Sequence, residues 1–282
     1  MNGILFILAM LTGVVQQVAR KEFNKRNSGG VYSFSAAAAC FVLAFFLVTS
    51  KGSLHFTGQT IWYALAFALA YAITTITTML AIQCGPLSLI SLIISYSTVI
   101  PTVYGFVFLN EPISFKLILG IVFLLVSLFF INQEGSAQKT ITFRWIVFAL
   151  ITFFGNGACS TVQKVFQLKS GGSAENEFMI FAMCIVVGIL ALMAVITEKK
   201  ECGKNLKEGF VWYGICGLGN GITNFLVMLL ALSVPASVMY PLLSAGGIVV
   251  TILVSMLLYR EKLSAMQKIG FVLGIAATVL LS

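Results

Sequence analysis

Apolar positions in this chain come in runs of about 20 residues, the length an α-helix needs to cross a hydrocarbon layer. Short polar or Pro/Gly-containing breaks separate them. Ten runs are predicted as spanning helices: residues 3–19, 31–49, 60–82, 87–109, 113–131, 143–163, 178–196, 210–232, 236–259 and 266–281. The polar stretch 132–142 reads as a joint between two halves, 1–137 and 138–282. The expected fold is an all-α integral membrane protein with ten transmembrane helices in two five-helix repeats.

The halves resemble each other. Residues 81–120 lie over 231–270 at a constant offset of 150, without a gap. Both copies run from a Pro/Gly break through a long apolar helix to a polar-flanked Glu, Glu111 or Glu261, and into a further apolar helix. Earlier in each half, Gly13 to Arg20 lies over Gly157 to Lys164. An odd number of helices per unit makes the second copy enter the membrane from the opposite side. The repeats are therefore expected to be inverted, with a site between them.

Composition agrees with a membrane chain. Of 282 residues 59% are hydrophobic and only 9% charged, where soluble domains carry about 25% charged residues. The net charge of +8 lies in the breaks and forms no basic face with interleaved aromatics, which excludes a nucleic-acid partner. Thirteen of the 17 Lys and Arg follow odd-numbered segments, which by the positive-inside bias places both termini outside. Cys40, Cys84, Cys159, Cys184 and Cys216 are isolated from one another and read as plain buried thiols. The chain has no Asp, and its single His, His55, falls in a loop. No catalytic set, metal site or cofactor is expected.

Polar groups at membrane depth are costly unless paired or facing a wet cavity, and here they are unevenly placed. The candidate substrate-binding residues are Thr12 and Gln16, then Tyr71, Thr74 and Ser91, and in the second half Asn156, Asn220, Asn224, Tyr240 and Ser244. Bonding to backbone or gluing helices is the competing role of such Ser and Thr residues. Pro101 and Pro241 lie inside predicted spans, where a missing N–H frees a carbonyl one turn back. With Gly217 and Gly219 they are the candidate hinge or gating residues. Gly217 and Gly219 belong to Gly-Ile-Cys-Gly-Leu-Gly-Asn-Gly, for which close helix packing is the better account than a nucleotide loop. Glu111 and Glu261 are expected to be structural, satisfying free N–H groups at a helix start. Gly120 and Gly270 are also assigned to structure. Lys164 is expected at a helix terminus, reaching for the interface, with contact to a substrate carboxylate as the alternative.

The segments Leu109-Asn110-Glu111-Pro112-Ile113-Ser114 with Gly120, and Tyr259-Arg260-Glu261-Lys262-Leu263-Ser264 with Gln267, Gly270 and Gly274, resemble the drug/metabolite transporter superfamily, most closely its ten-helix EamA-like members. The resemblance covers essentially the whole chain. It implies movement of small metabolites, amino acids or drugs through a central cavity, packing or dimer contacts for the fifth and tenth helices, cytoplasmic termini and a bacterial cytoplasmic membrane. The termini disagree with the charge count, so orientation is left open. The four-helix relatives use a Glu in helix 1 for proton exchange, and here no acid precedes Glu22. The leading expectation is a secondary transporter, an exporter of small solutes working by alternating access, embedded in the lipid bilayer and with homodimerisation left open. The rivals are a non-transporting membrane scaffold or sensor, and an intramembrane enzyme, for which no Asp is present and the single His lies in a loop.

Overall fold

The computed structural model describes residues 2–26, 30–52, 57–84, 87–132, 142–199, 202–259 and 264–281. Its elements are all helical: α1 Asn2–Arg26, α2 Val31–Thr49, α3 Gly58–Cys84, α4 Leu87–Tyr96, α5 Val99–Phe108, α6 Phe115–Asn132, α7 Phe143–Ser170, α8 Glu175–Glu198, α9 Cys202–Glu208, α10 Phe210–Ser233, α11 Ala236–Tyr259 and α12 Ala265–Leu281. Among the described residues seven helices are long and apolar enough to cross a membrane, and three shorter apolar stretches cover 93–108, 115–131 and 265–281. The chain is thus an all-α, multi-pass membrane protein.

Three departures from expectation have local causes. The fourth predicted helix is two, α4 and α5, separated at Ser97 and Thr98. Pro101 has no N–H to give the Ser97 carbonyl, and the Ile100 N–H bonds it instead at 3.0 Å, one residue early. The sixth predicted helix does not stop at Gln163 but runs on as α7 to Ser170, since a polar run lowers hydropathy without breaking a helix. The short α9 precedes α10 and had no apolar signal.

Contacts divide the chain into two compact units. Unit 1 comprises residues 1–72 with 162–232, and unit 2 comprises 73–161 with 233–282. Each draws on both sequence halves.

In unit 1, α2 packs on α8 through small and aromatic residues, including Ala36, Ala39 and Phe46 of α2 and Phe178, Ala182 and Val186 of α8, all buried. The pair is antiparallel and tied at both ends. Glu198, closing α8, accepts the Tyr32 and Ser33 N–H groups at 2.6 and 3.1 Å at the start of α2. At the other end the Thr49 hydroxyl donates to Asn176 Oδ1 at 2.8 Å. The glycines of α10 sort by face. A Cβ on Gly217 would strike the Ala38 carbonyl oxygen and the Phe41 Cβ, and one on Gly221 would crowd the Phe45 ring at 3.0 Å, so this face admits α2. Gly219 faces α1, 3.1 Å from Gln16 Cγ. The helix continues through all three.

In unit 2, α6 and α12 form an antiparallel pair. A Cβ on Gly120 would lie 2.8 Å from Leu281 Cγ, and one on Gly270 2.9 Å from the Ser127 carbonyl oxygen. The buried Ser127 hydroxyl donates to the Gly270 carbonyl at 2.6 Å. The two glycines assigned to structure from the sequence therefore sit where these backbones meet.

Two thiols differ from expectation. Cys159 and Cys216 are buried, whereas Cys40 and Cys184, both in unit 1, are exposed. In an apolar span an exposed face meets hydrocarbon, where a thiol is as much at home as in a core. Cys84 is at the end of α3, and its side chain is outside the described ones.

Candidate functional site

The polar residues of unit 1 converge on α10. Gln16 of α1 donates from Nε2 to the Thr223 hydroxyl at 2.9 Å and to the Thr12 carbonyl at 3.3 Å. Its Oε1 accepts Asn220 Nδ2 at 2.9 Å. Asn220 Oδ1 in turn accepts Asn224 Nδ2 at 2.9 Å, and Asn224 Oδ1 accepts Gln163 Nε2 of α7 at 3.3 Å. The Thr12 and Thr223 hydroxyls lie 2.8 Å apart. Four amides thus form one oriented chain across α1, α10 and α7.

The local sequence explains the arrangement. Asn220, Thr223 and Asn224 are three or four residues apart, which puts them on one face of α10. Gly219 beside them lacks the Cβ that would hold α1 away. Gln16 and Gln163 are nearly fully buried, while Thr12, Asn220, Thr223 and Asn224 are half-buried. Amides at this depth are retained when paired, and each such bond stabilises by about 0.6 kcal/mol on average, up to about 1.7. The network is neutral and offers both donors and acceptors, so it can exchange partners with a polar solute.

Unit 1 also holds an unexpected cation. Lys164 is only 3% exposed and donates to the Ala231 carbonyl at 2.6 Å in the last turn of α10. It does not reach for the interface, because α7 continues beyond it and carries it inside the helix. The carbonyl end of α10, with its partial negative charge, is a favourable place for an ammonium. Tyr71, half-buried, stacks on Phe67 with centroids 5.7 Å apart.

In unit 2 the helix break is the polar focus. Asn156 Nδ2 donates to the fully buried Ser97 hydroxyl at 2.6 Å, and that hydroxyl donates to the Ile94 carbonyl at 2.6 Å. Tyr240 donates to the Ser160 carbonyl at 2.6 Å, and Thr74 hydrogen-bonds the Cys159 thiol. Ser244 is half-buried one turn beyond Tyr240, and Pro241 sits inside an unbroken α11. Ser91 lies on α4, its side chain outside the described ones. An open apolar groove lined by Tyr96, Val99, Leu125 and Phe153 adjoins the break.

Glu111 closes a different element from the one expected. Its two carboxylate oxygens accept the Ala236 and Ser237 N–H groups at 2.6 and 2.8 Å, at the start of α11 rather than of the α6 that follows it. Asn110 takes a left-handed turn at φ 51°, and the absent side chain of Gly105 leaves room for the carboxylate. Glu261 lies outside the described residues.

Of the sequence candidates, Thr12, Gln16, Asn220 and Asn224 come together in unit 1. Asn156, Tyr240 and Thr74 each bond elsewhere in unit 2. Sequence reasoning did not single out Gln163, Ser97 or Glu198. Gln163 gave a signal, as an amide in an apolar chain, but its partner on α10 is set by which helices lie side by side. Among the described residues no group of three or more His, Cys, Asp or Glu side chains could hold a metal ion.

The break yields a prediction. Pro101→Ala restores an N–H for the Ser97 carbonyl and should join α4 to α5. We expect a higher thermal midpoint and solute exchange slowed several-fold, read by unfolding and flux assays on the same preparation. Unchanged flux with a raised midpoint would deny the break a part in transport.

Comparison with known proteins agrees with this architecture. The EamA-like transporter family matches residues 143–282, the second half of the sequence. A solved structure titled only "Crystal structure of protein" is similar over 99% of this chain and 97% of its own, with a TM-score of 0.81 at 10% sequence identity. That likeness shows a shared fold over the whole chain. No curated protein matches the sequence.

Proposed function

We propose that the protein is a secondary transporter that exports small metabolites, amino acids or drug-like solutes by alternating access across a bacterial cytoplasmic membrane. The observation that carries this reading is the amide chain from Gln163 through Asn224 and Asn220 to Gln16. It supplies neutral donors and acceptors inside apolar spans, where a solute shedding water needs them. Binding is its whole chemistry: amides and hydroxyls replace water, and a rearrangement changes which side the solute sees.

Two features support ten spans in two inverted repeats, 1–137 and 138–282. Equivalent helices pair with each other, α2 with α8 and α6 with α12. Both pairs are antiparallel, as copies inserted from opposite sides would be. The candidate substrate contacts are Thr12, Gln16, Tyr71, Asn220 and Asn224 in unit 1, and Thr74, Ser91, Asn156, Tyr240 and Ser244 in unit 2. Pro101, Pro241, Gly217 and Gly219 are proposed to yield during the switch. A homodimer is compatible with this reading and is not required by it.

A non-transporting scaffold or sensor is the second reading. One observation favours it: Gln16, Asn220 and Asn224 each already donate and accept within unit 1.

Counterflow in liposomes separates the two. Labelled amino acids, nucleosides, sugars and organic cations are presented outside vesicles preloaded with the unlabelled solute. Saturable uptake above that of empty liposomes is expected for at least one class. Asn220→Ala removes a donor to Gln16 and an acceptor for Asn224 and should weaken apparent affinity about tenfold, for a loss near 1.4 kcal/mol. Absence of counterflow from folded protein across the panel would favour the scaffold.

A further inference from the structure

Polar chemistry in unit 1 does not stop at the amide chain. Lys164 follows Gln163 on α7, and both bond to α10, Gln163 at Asn224 and Lys164 at the Ala231 carbonyl. Three residues further along the same face of α7 is Gln167, fully buried. Its amide nitrogen donates to Glu175 of α8, while its Oε1 is buried without a hydrogen-bond donor. Glu175 and the buried Glu177 stand in the first turn of α8. The order along unit 1 is therefore neutral amides, an ammonium, a donor-less carbonyl oxygen, and then carboxylates.

Each of these groups asks for a different complement. A carboxylate partner forms charge-assisted hydrogen bonds with an ammonium, stronger than those of a neutral carbonyl. A buried oxygen without a donor forgoes about 1–3 kcal/mol that a charged N–H would recover. Residues three apart on a helix have Cβ atoms about 5–6 Å apart, a separation that a small solute carrying an acid group and an amine can bridge. We propose that Lys164 and Gln167 form a charged-end subsite for a zwitterionic solute, Lys164 taking its acid group and Gln167 Oε1, beside Glu175, taking its ammonium. The subsite rests on the transporter reading and narrows its substrate to solutes with both charges. Lys164 exchanges the Ala231 carbonyl for the acid group when solute binds.

The probes are leucine, leucinamide, which lacks the acid, and 4-methylpentanoate, which lacks the amine. Counterflow of each is measured with the full-length protein in liposomes. Leucine is expected to exchange, and both truncated probes to compete about ten- to a hundredfold more weakly, the equivalent of one charge-assisted bond. Lys164→Gln should erase the preference for leucine over leucinamide, and Gln167→Leu that over 4-methylpentanoate. The wild-type comparison needs no variant to fold. Leucinamide exchanging as well as leucine, or a Lys164→Gln protein keeping wild-type selectivity, overturns the subsite and leaves transport standing. No exchange of any of the three alongside counterflow of a sugar, nucleoside or cation also overturns it. Failure of every class in the wider panel counts against the transporter reading itself.

Discussion

Glu111→Ala should cost the protein most of its folded yield. Two backbone N–H groups at the start of α11, those of the buried residues Ala236 and Ser237, lose charged acceptors at 2.6 and 2.8 Å. Hydrogen bonds to charged groups contribute about 1.5–3 kcal/mol each, and a carboxylate also opposes the positive end of the helix dipole. The expected loss is about 3 kcal/mol or more. Glu111→Gln keeps an acceptor and should fall between. Yield by size-exclusion profile and the thermal midpoint check this. A Glu111→Ala protein with normal yield and an altered pH dependence of transport would instead assign the carboxylate to proton movement.

The second large effect is expected at Gly217. An alanine there places its Cβ against the backbone carbonyl of Ala38 and 2.6 Å from Phe41 Cβ. Backbone cannot turn aside as a flexible side chain can, so α2 and α10 must separate. Overpacking of this kind costs about 1–3 kcal/mol. Gly247→Ala in α11 is the matched control, because nothing lies within 4 Å of the new Cβ. Helix propensity alone should stabilise that variant, by about 0.5–1 kcal/mol. Equal thermal midpoints for the two variants would refute the packing account. A normal midpoint with slowed exchange in Gly217→Ala would make this glycine a hinge.

What could be read from residues alone follows from how few forces act in a bilayer. Spans are long apolar runs because an unpaired backbone group in hydrocarbon is costly, so their positions are legible from hydropathy. The offset of 150 residues carries Gly120 onto Gly270, and both lie in the contact between α6 and α12. Asn220 and Asn224 stood out because amides are rare at depth, and their spacing on one face follows from helical geometry. The choice of partner is another matter. Nothing local tells Glu111 to cap a helix 125 residues away, or Lys164 to bond the end of α10. Such pairings depend on which helices lie side by side. Pro101 illustrates the intermediate case: the residue signalled a disturbance, but the break appears four residues earlier, at the carbonyl it fails to serve. Hydropathy likewise ended α7 too soon, hiding the buried run from Gln163 to Gln167.

The central claim is that the amide chain of unit 1 lines a path open to each side of the membrane in turn. Thiol labelling of Asn224→Cys, in a protein freed of its own cysteines, tests it most directly. A membrane-impermeant maleimide is applied to right-side-out and to inside-out vesicles. The account predicts labelling from both sides, slowed on both by a solute that shows counterflow. Labelling from neither side, or from one side only under every condition, would contradict it.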